Sequence, residues 1–237
     1  MIFLSLLLSV SVWAAAPTAD EIVQKADEGR IPGGNITLVA TVNDYVKKEE
    51  VRETRYRISI KGKQASLVET IFPERQTGRK YLMVGNDLWF YTPDTKRPAR
   101  VSMQQKLTGE VSNGDLARAD FAGDYDAKLV GKETLKGQPA FKLLLTAKRP
   151  DITYSKLDYW VHEKTFLPMK VTFYAVSGKP LKRGQYSAIK DIFGRKRVTK
   201  MLIEDAIDPE RQSILSYSQH KRAELPDSMF RKESFGE

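Results

Sequence analysis

From Asn35 onward the chain repeats one pattern, in which short segments rich in β-branched and aromatic residues are separated by turns that contain glycine. Segments of this kind, with turns at intervals of about ten residues, are typical of strands. Parallel strands would need a helical crossover between each pair, and most of these segments follow one another directly. We therefore predict a long antiparallel meander. The predicted strands are 36–42, 51–61, 65–72, 80–84, 88–91, 100–102, 125–130, 140–147, 157–162, 169–176, 181–189, 197–204 and 213–219.

Several predicted strands have one apolar face and one polar face. In "VRETRYRISIK", for example, alternate residues are aromatic or aliphatic while Arg55 and Arg57 lie between them. Because successive side chains of a strand point to opposite faces, this pattern indicates a sheet with one face buried. The residues predicted to face the interior are Tyr56, Ile58 and Ile60, then Met169, Val171 and Phe173, and finally Met201 and Ile203.

The stretch "YLMVGNDLWFY" differs, because both of its faces are apolar. A turn over 85–87 would place Leu82, Val84, Leu88 and Phe90 on one face and Tyr81, Met83, Trp89 and Tyr91 on the other. One face covers the sheet interior, and the second needs a helix, a loop or a ligand over it. Two interpretations remain open: burial of both faces in the core, or a wall of an apolar ligand cavity. For the cavity we choose the face of Leu82, although the face of Trp89 is the alternative.

The first residues, "MIFLSLLLSVSVWAAAP", contain no charged side chain and end in small residues. This is typical of a secretory signal peptide, and we expect cleavage near Ala14. Residues 1–14 are therefore predicted as a signal peptide and 15–237 as a single domain. Thr18 and Glu21 have capping-box spacing and predict a helix that ends at Gly29. Further helical segments are predicted at 113–119 and 227–232.

The chain has no cysteine, so neither a disulfide nor a lipid-bearing cysteine is expected. Its 39 Lys and Arg outnumber its 30 Asp and Glu, which gives a net charge of +9. For an exported protein this charge favours transient contact with anionic membrane surfaces or acidic partners over nucleic acid. The basic clusters are read either as solvated faces or as such contact surfaces.

Residue patterns for catalysis or metal binding are missing from the sequence. It has two histidines, no cysteine and no Gly-x-Ser-x-Gly motif, and its paired acids such as Asp124 with Asp126 fit turn and helix caps. We therefore expect no enzymatic activity, no metal and no cofactor.

The motif "GNDLWFYTP" resembles the outer-membrane lipoprotein-sorting proteins of the LolA-like superfamily. The later stretches "NGDLARADFAGDYDA" and "KVTFYAVSGKPLK" resemble a divergent branch whose members are often associated with RND-type exporters. The resemblance spans nearly the whole chain after the signal peptide. Its motif residues are Leu88, Trp89, Phe90, Tyr91 and Pro93.

The resemblance implies an unclosed antiparallel β-barrel, or half-barrel, whose apolar face is covered by helices. It also implies a periplasmic carrier that binds lipid or lipoprotein acyl chains and moves them between envelope membranes. The alternative is an accessory interaction subunit of an RND-type export complex. An inner-membrane transporter or an outer-membrane acceptor is the expected partner, and the basic loop with Lys96, Arg97 and Arg100 is the expected docking segment for a partner or a membrane.

Overall fold

The computed structural model describes residues 16–118 and 120–235. The predicted signal peptide, 1–14, lies outside the described residues. Within them, no helix combines the length and the apolar character that crossing a membrane requires.

Within the described residues, thirteen strands form one antiparallel sheet and two short strands form a separate hairpin. The order in the large sheet is β6-β5-β4-β3-β2-β1-β15-β14-β13-β12-β11-β10-β9, so in the described part of the chain it stays unclosed, with β6 and β9 at its two edges. The predicted fold class is confirmed. The strands are β1 (Asn35–Val46), β2 (Glu49–Lys61), β3 (Ala65–Phe72), β4 (Lys80–Val84), β5 (Asp87–Tyr91), β6 (Ala99–Val101), β7 (Lys106–Thr108), β8 (Val111–Ser112), β9 (Tyr125–Leu135), β10 (Gln138–Ala147), β11 (Lys156–His162), β12 (Pro168–Tyr174), β13 (Pro180–Ile192), β14 (Arg195–Asp205) and β15 (Arg211–Arg222).

Three short helices pack against one face of this sheet, which we call the inner face. They are α1 (Ala19–Glu28), α2 (Asn113–Ala117) and α3 (Phe121–Asp124). The capping box at Thr18 and Glu21 is present, as the sequence predicts, and α1 buries Ile22 and Val23. The sequence did not predict α3 or the β7–β8 hairpin, because segments of four residues or fewer carry little periodic signal.

The main core lies between the inner face and these helices. It includes alternate residues of β1 and β2, such as Leu38, Ala40 and Ile58, and the apolar residues of the helices. Polar contacts fix the β7–β8 hairpin to the same face. The Thr108 hydroxyl donates to Asp44 Oδ2 over 2.8 Å, and Ser213 Oγ donates to Asp44 Oδ1 over 2.6 Å.

The turn between β4 and β5 has two residues, 85–86, because Val84 pairs with Asp87 and Met83 pairs with Leu88. A change of one residue in turn length moves every side chain to the opposite face relative to its partner strand. The prediction from a three-residue turn is therefore wrong about which residues share a face. The inner face carries Tyr81, Met83, Leu88 and Phe90, and the outer face carries Leu82, Val84, Trp89 and Tyr91.

The C-terminal segment of the chain covers this part of the outer face. Residues 225–235 contain two 3₁₀ turns, Asp227–Phe230 and Lys232–Ser234, in place of the predicted helix over 227–232. Phe230 and Phe235 pack with Leu82 and Tyr91 in a second apolar cluster, separate from the main core. Both faces of β4 and β5 are apolar because the first faces the core and the second faces this segment.

Candidate functional site

A cavity of about 250 Å³ lies between α1, α2 and the inner face of the sheet. We call it the larger cavity. Ile31, Ile60, Met83, Leu116 and Ala117 supply its apolar lining. It opens beside the 61–65 turn between β2 and β3, and we call this the mouth end of the sheet.

The α2 helix forms one wall of the larger cavity and is held closely against its neighbours. Ser66 Oγ on β3 donates to the Ala117 carbonyl over 2.6 Å. Gly114 lies so near Thr153 that a Cβ at residue 114 would be 1.9 Å from Thr153 Oγ1. Only glycine therefore permits this approach of α2 to the loop before β11.

Polar side chains surround the mouth of the larger cavity. Lys63 Nζ donates to Asp120 Oδ1 over 2.8 Å, which joins the β2–β3 turn to the segment before α3. Arg118 pairs through two nitrogens with Asp124, and its Nη1 donates to the Gly85 carbonyl over 2.7 Å. The contacts that hold the cover at the mouth are thus ionic or hydrogen-bonded.

A smaller cavity, of about 50 Å³, adjoins the larger one, and Ile31 and Arg118 line both. Arg30, Tyr186 and Tyr217 also line the smaller cavity. Burial raises the pKa of both tyrosines, so their hydroxyls are protonated at neutral pH. They can donate or accept hydrogen bonds within this space.

Arg30 is held between an acid and an aromatic ring. Its guanidinium carbon lies 3.7 Å from the centre of the Phe121 ring, and its Nη2 lies 3.2 Å from Asp27 Oδ1. Asp27 Oδ2 also accepts the Ala122 N–H over 2.8 Å, which ties α1 to α3. Burial raises the pKa of Asp27 to about 6, although Arg30 favours the charged carboxylate.

A second buried ion pair lies between α2 and β13. Lys182 Nζ donates to Asp115 Oδ2 over 2.5 Å and to the Glu110 carbonyl over 2.7 Å. Tyr154 donates to Asp115 Oδ1 over 2.9 Å. Burial lowers the pKa of Lys182, while the charge of Asp115 opposes that shift. These bonds occupy the Asp115 carboxylate and position the start of α2.

The predicted interior residues fall into distinct groups. Ile60 lines the larger cavity and Met201 lines the smaller one. Met169 is half-buried at a β-bulge, where β11 and β12 shift register. Packed inside the main core are Tyr56, Ile58, Leu88, Val171, Phe173 and Ile203.

The remaining three predicted cavity residues lie elsewhere. Leu82 is in the second apolar cluster on the outer face, and Val84 is 43% exposed near the turn. Phe90 is half-buried on the inner face, with its ring centre 4.7 Å from that of Tyr81. The predicted face of Leu82 is therefore not the face that borders the larger cavity, which Met83 borders instead.

The motif residues divide between the two faces of β5. Leu88 belongs to the main core, while Tyr91 and Trp89 contact the C-terminal segment, and Lys232 Nζ lies 4.7 Å from the Trp89 ring centre. Pro93 packs near Gly78, where a Cβ would come within 3.0 Å of it. The motif therefore connects the main core on the inner face with the C-terminal segment on the outer face.

The basic loop lies between β5 and β6, at the end of the sheet opposite the mouth. Lys96 and Arg97 are exposed. Arg100 pairs with Asp87. Asp87 lies at the mouth end of β5, where it pairs with Val84, so the Arg100 side chain points away from the tip of the loop. The structure does not bring all three basic residues into one cluster.

Sequence analysis did not identify several residues that form the site. The helix over 113–119 was predicted, but nothing in its pattern marked Leu116 and Ala117 as cavity walls. Arg30 and Asp27 lie at the end of a predicted helix, where charged residues are usual. Their spacing of three residues was the available signal for a pair.

No group of three or more His, Cys, Asp or Glu side chains suited to a metal ion occurs in 16–118 and 120–235.

Comparisons with known proteins give a consistent result. A protein-family model described as "Uncharacterized protein" matches residues 62–237. No curated protein matches the chain. Among solved structures, the chain is similar to a LolA superfamily protein from Nitrosomonas europaea, with 37% sequence identity, coverage of 92% of this chain and 99% of that chain, and a TM-score of 0.87.

Two more distant structures share the fold. A DUF1329 family protein from Desulfovibrio piger is 22% identical, with a TM-score of 0.77 and coverage of 92% of this chain and 97% of that chain. A domain from Vibrio parahaemolyticus, named as an outer membrane lipoprotein-sorting protein domain, is also 22% identical, with a TM-score of 0.74 and the same coverage, 92% and 97%.

Proposed function

Because the chain belongs to the LolA superfamily, we propose that it is a periplasmic carrier of lipid or of lipoprotein acyl chains, which it moves between the membranes of the envelope. The observation that carries the proposal is the larger cavity, an apolar space of about 250 Å³ beneath short helices. The predicted signal peptide at 1–14 supports the periplasmic location, with 15–237 as one mature domain. Carriage of this kind needs neither a catalytic residue nor a cofactor.

The lining of the larger cavity favours an acyl chain. Each methylene that leaves water contributes about 0.8 kcal/mol to binding. Ile60 and Met83 belong to its apolar lining, while the polar contact of Lys63 with Asp120 lies at the mouth. An acyl chain can therefore be buried against these apolar residues.

The helices that cover the larger cavity must move for a complete acyl chain to enter. The larger cavity is smaller than the roughly 300–1,000 Å³ of drug-sized ligand sites, so a complete acyl chain requires α2 and α3 to shift outward. These helices have five and four residues, and polar contacts hold them at the mouth. Moving α2 outward breaks the bond from Ser66 to the Ala117 carbonyl and exposes Leu116 and Ala117, a cost that an incoming acyl chain offsets by covering these apolar side chains.

Cavity filling tests this proposal. In Ala117→Phe, the added ring would occupy the larger cavity, because Ala117 is 4% exposed and forms its wall. Wild-type protein, exported in a bacterial host and purified without detergent, should retain lipid in native mass spectrometry. The variant should retain several-fold less.

The matched control is Val51→Phe, which adds a ring on the surface because Val51 is 57% exposed. This control should keep its lipid. Wild-type protein that is empty under several gentle extraction conditions would contradict the proposal, as would equal lipid content in Ala117→Phe and the control.

A second candidate function is an accessory interaction subunit of an RND-type export complex, and the exposed basic loop favours it. Lys96 and Arg97 project from the end of the sheet away from the mouth, so the loop can contact a transporter, an acceptor or a membrane without closing the cavity. Lys96→Glu with Arg97→Glu should then abolish recovery of the complex and leave bound lipid unchanged. Loss of lipid with an intact complex would exclude this candidate.

A further inference from the structure

The smaller cavity contains a buried cation whose hydrogen-bonding capacity is incompletely used. The Arg30 side chain is 10% exposed. Within residues 16–118 and 120–235, its Nε and Nη2 are buried without a hydrogen-bond partner, although Nη2 lies 3.2 Å from Asp27 Oδ1. Asp27 Oδ1, which faces Nη2, is likewise buried without a hydrogen bond, so Nε is the donor left for a further acceptor. A buried donor without a hydrogen bond costs about 1–3 kcal/mol, and more when the group is charged.

The other polar groups of this cavity are either already engaged or suited to the same acceptor. Arg118 is paired with Asp124, and Asp115 is bonded to Lys182. Tyr186 keeps its proton at neutral pH, since burial raises its pKa, and it lines the cavity beside Arg30.

The smaller cavity presents guanidinium groups to a ligand. Its described lining contains three cationic side chains, of Arg30, Arg118 and Lys200, and one carboxylate, that of Asp115, while Asp27 and Asp124 outside this lining pair with Arg30 and Arg118. A guanidinium binds a carboxylate or a phosphate through two parallel hydrogen bonds, which neutral groups cannot match.

Size and position favour a head group rather than a whole ligand. The volume of about 50 Å³ exceeds the 10–15 Å³ that one water requires by a few-fold, which suits a small polar group. The larger cavity begins directly beside it, since Ile31 and Arg118 line both. One amphiphilic molecule can therefore occupy both spaces.

We propose that the smaller cavity binds the single anionic head group, a carboxylate or a phosphate, of an amphiphile whose chain occupies the larger cavity, with Arg30 as the principal ligand and Tyr186 as an additional donor. This inference rests on the proposed carrier function and narrows its cargo to lipids with one anionic head group.

Titration of the purified, delipidated protein with three probes of equal chain length tests the inference. The probes are palmitate, hexadecyl phosphate and the neutral hexadecanol, and calorimetry measures their affinities. We expect one or both anions to bind about tenfold more tightly than hexadecanol, because a charge-assisted bond replaces a neutral one. Comparison of palmitate with hexadecyl phosphate distinguishes the two head groups.

Arg30→Met should lower the affinity for the preferred anion about tenfold and the affinity for hexadecanol by a smaller factor, so that the preference for the anion shrinks, and Arg30→Lys should restore part of the loss. The comparison of anionic probes with hexadecanol on wild-type protein tests the inference even if neither variant folds. Binding of hexadecanol equal to that of both anions would overturn the head-group inference alone. Failure of all three probes to bind would overturn the carrier proposal together with it.

Discussion

Asp27 is the residue at which burial and charge conflict most directly. Its pKa rises from 3.8 to about 6, chiefly through burial, with Arg30 and the Ala122 N–H opposing the shift and Asp120 adding to it. Between these two values the folded carboxyl binds more protons than the unfolded one, so stability falls as pH rises through this window. Above a pH of about 6 the folded protein therefore holds a carboxylate in an unfavourable place, close to the mouth.

Asp27→Asn should remove this pH dependence. From about pH 4 to pH 7, the free energy of unfolding of the wild type should fall by about 2–3 kcal/mol relative to that of the variant. Urea unfolding at a series of pH values measures the difference. Asp20→Asn, at an exposed position of the same helix, is the control. If the difference in unfolding free energy between wild type and Asp27→Asn stayed constant over this pH range, the raised pKa of Asp27 would be contradicted.

At the scale of elements, the C-terminal segment acts as part of the sheet's outer layer. Phe230 is 7% exposed and packs beside Leu82 and Tyr91, while Trp89 lies at the edge of the same cluster. The pair of Lys61 with Asp227 adds an ionic contact to this apolar one. The segment therefore stabilises β5 and β4, which contributes Met83 to the larger cavity, from the opposite face.

Phe230→Ala should lower the free energy of unfolding by about 3 kcal/mol, because it removes a buried ring. In a Trp160→Phe background, the fluorescence of Trp89 should shift to longer wavelength as water reaches the indole. Phe193→Ala removes a ring that is 39% exposed and should change stability far less. Equal stability losses in Phe230→Ala and Phe193→Ala would contradict this role of the segment.

The same elements mark where sequence reasoning succeeds and fails. The capping box at Thr18, the inward Tyr56 and Ile58, and the hairpin glycines such as Gly62 are local patterns, and all were predictable. The faces of β4 and β5 were not, because both are apolar and alternation then gives no register. Only the length of the turn at 85–86, fixed by Gly85 with φ 58°, sets it.

At the scale of the whole molecule, the meander was predictable and the site was not. Most of the sheet order follows from consecutive hairpins. The pairing of β1 with β15 joins the first and last strands described. The larger cavity arises where α1, α2 and β3 meet, between residues far apart in sequence such as Ile31 and Ala117. No local pattern encodes such a meeting.

The carrier proposal places an acyl chain between α2 and the inner face of the sheet. Photocrosslinking with a palmitate analogue that carries a diazirine near its chain end, followed by peptide mass spectrometry, locates the chain. We expect labels on Ile60, Met83, Leu116 or Ala117, and we expect excess palmitate to suppress them. Labels confined to exposed apolar residues such as Val176 and Ile207, which are 86% and 90% exposed, would contradict it.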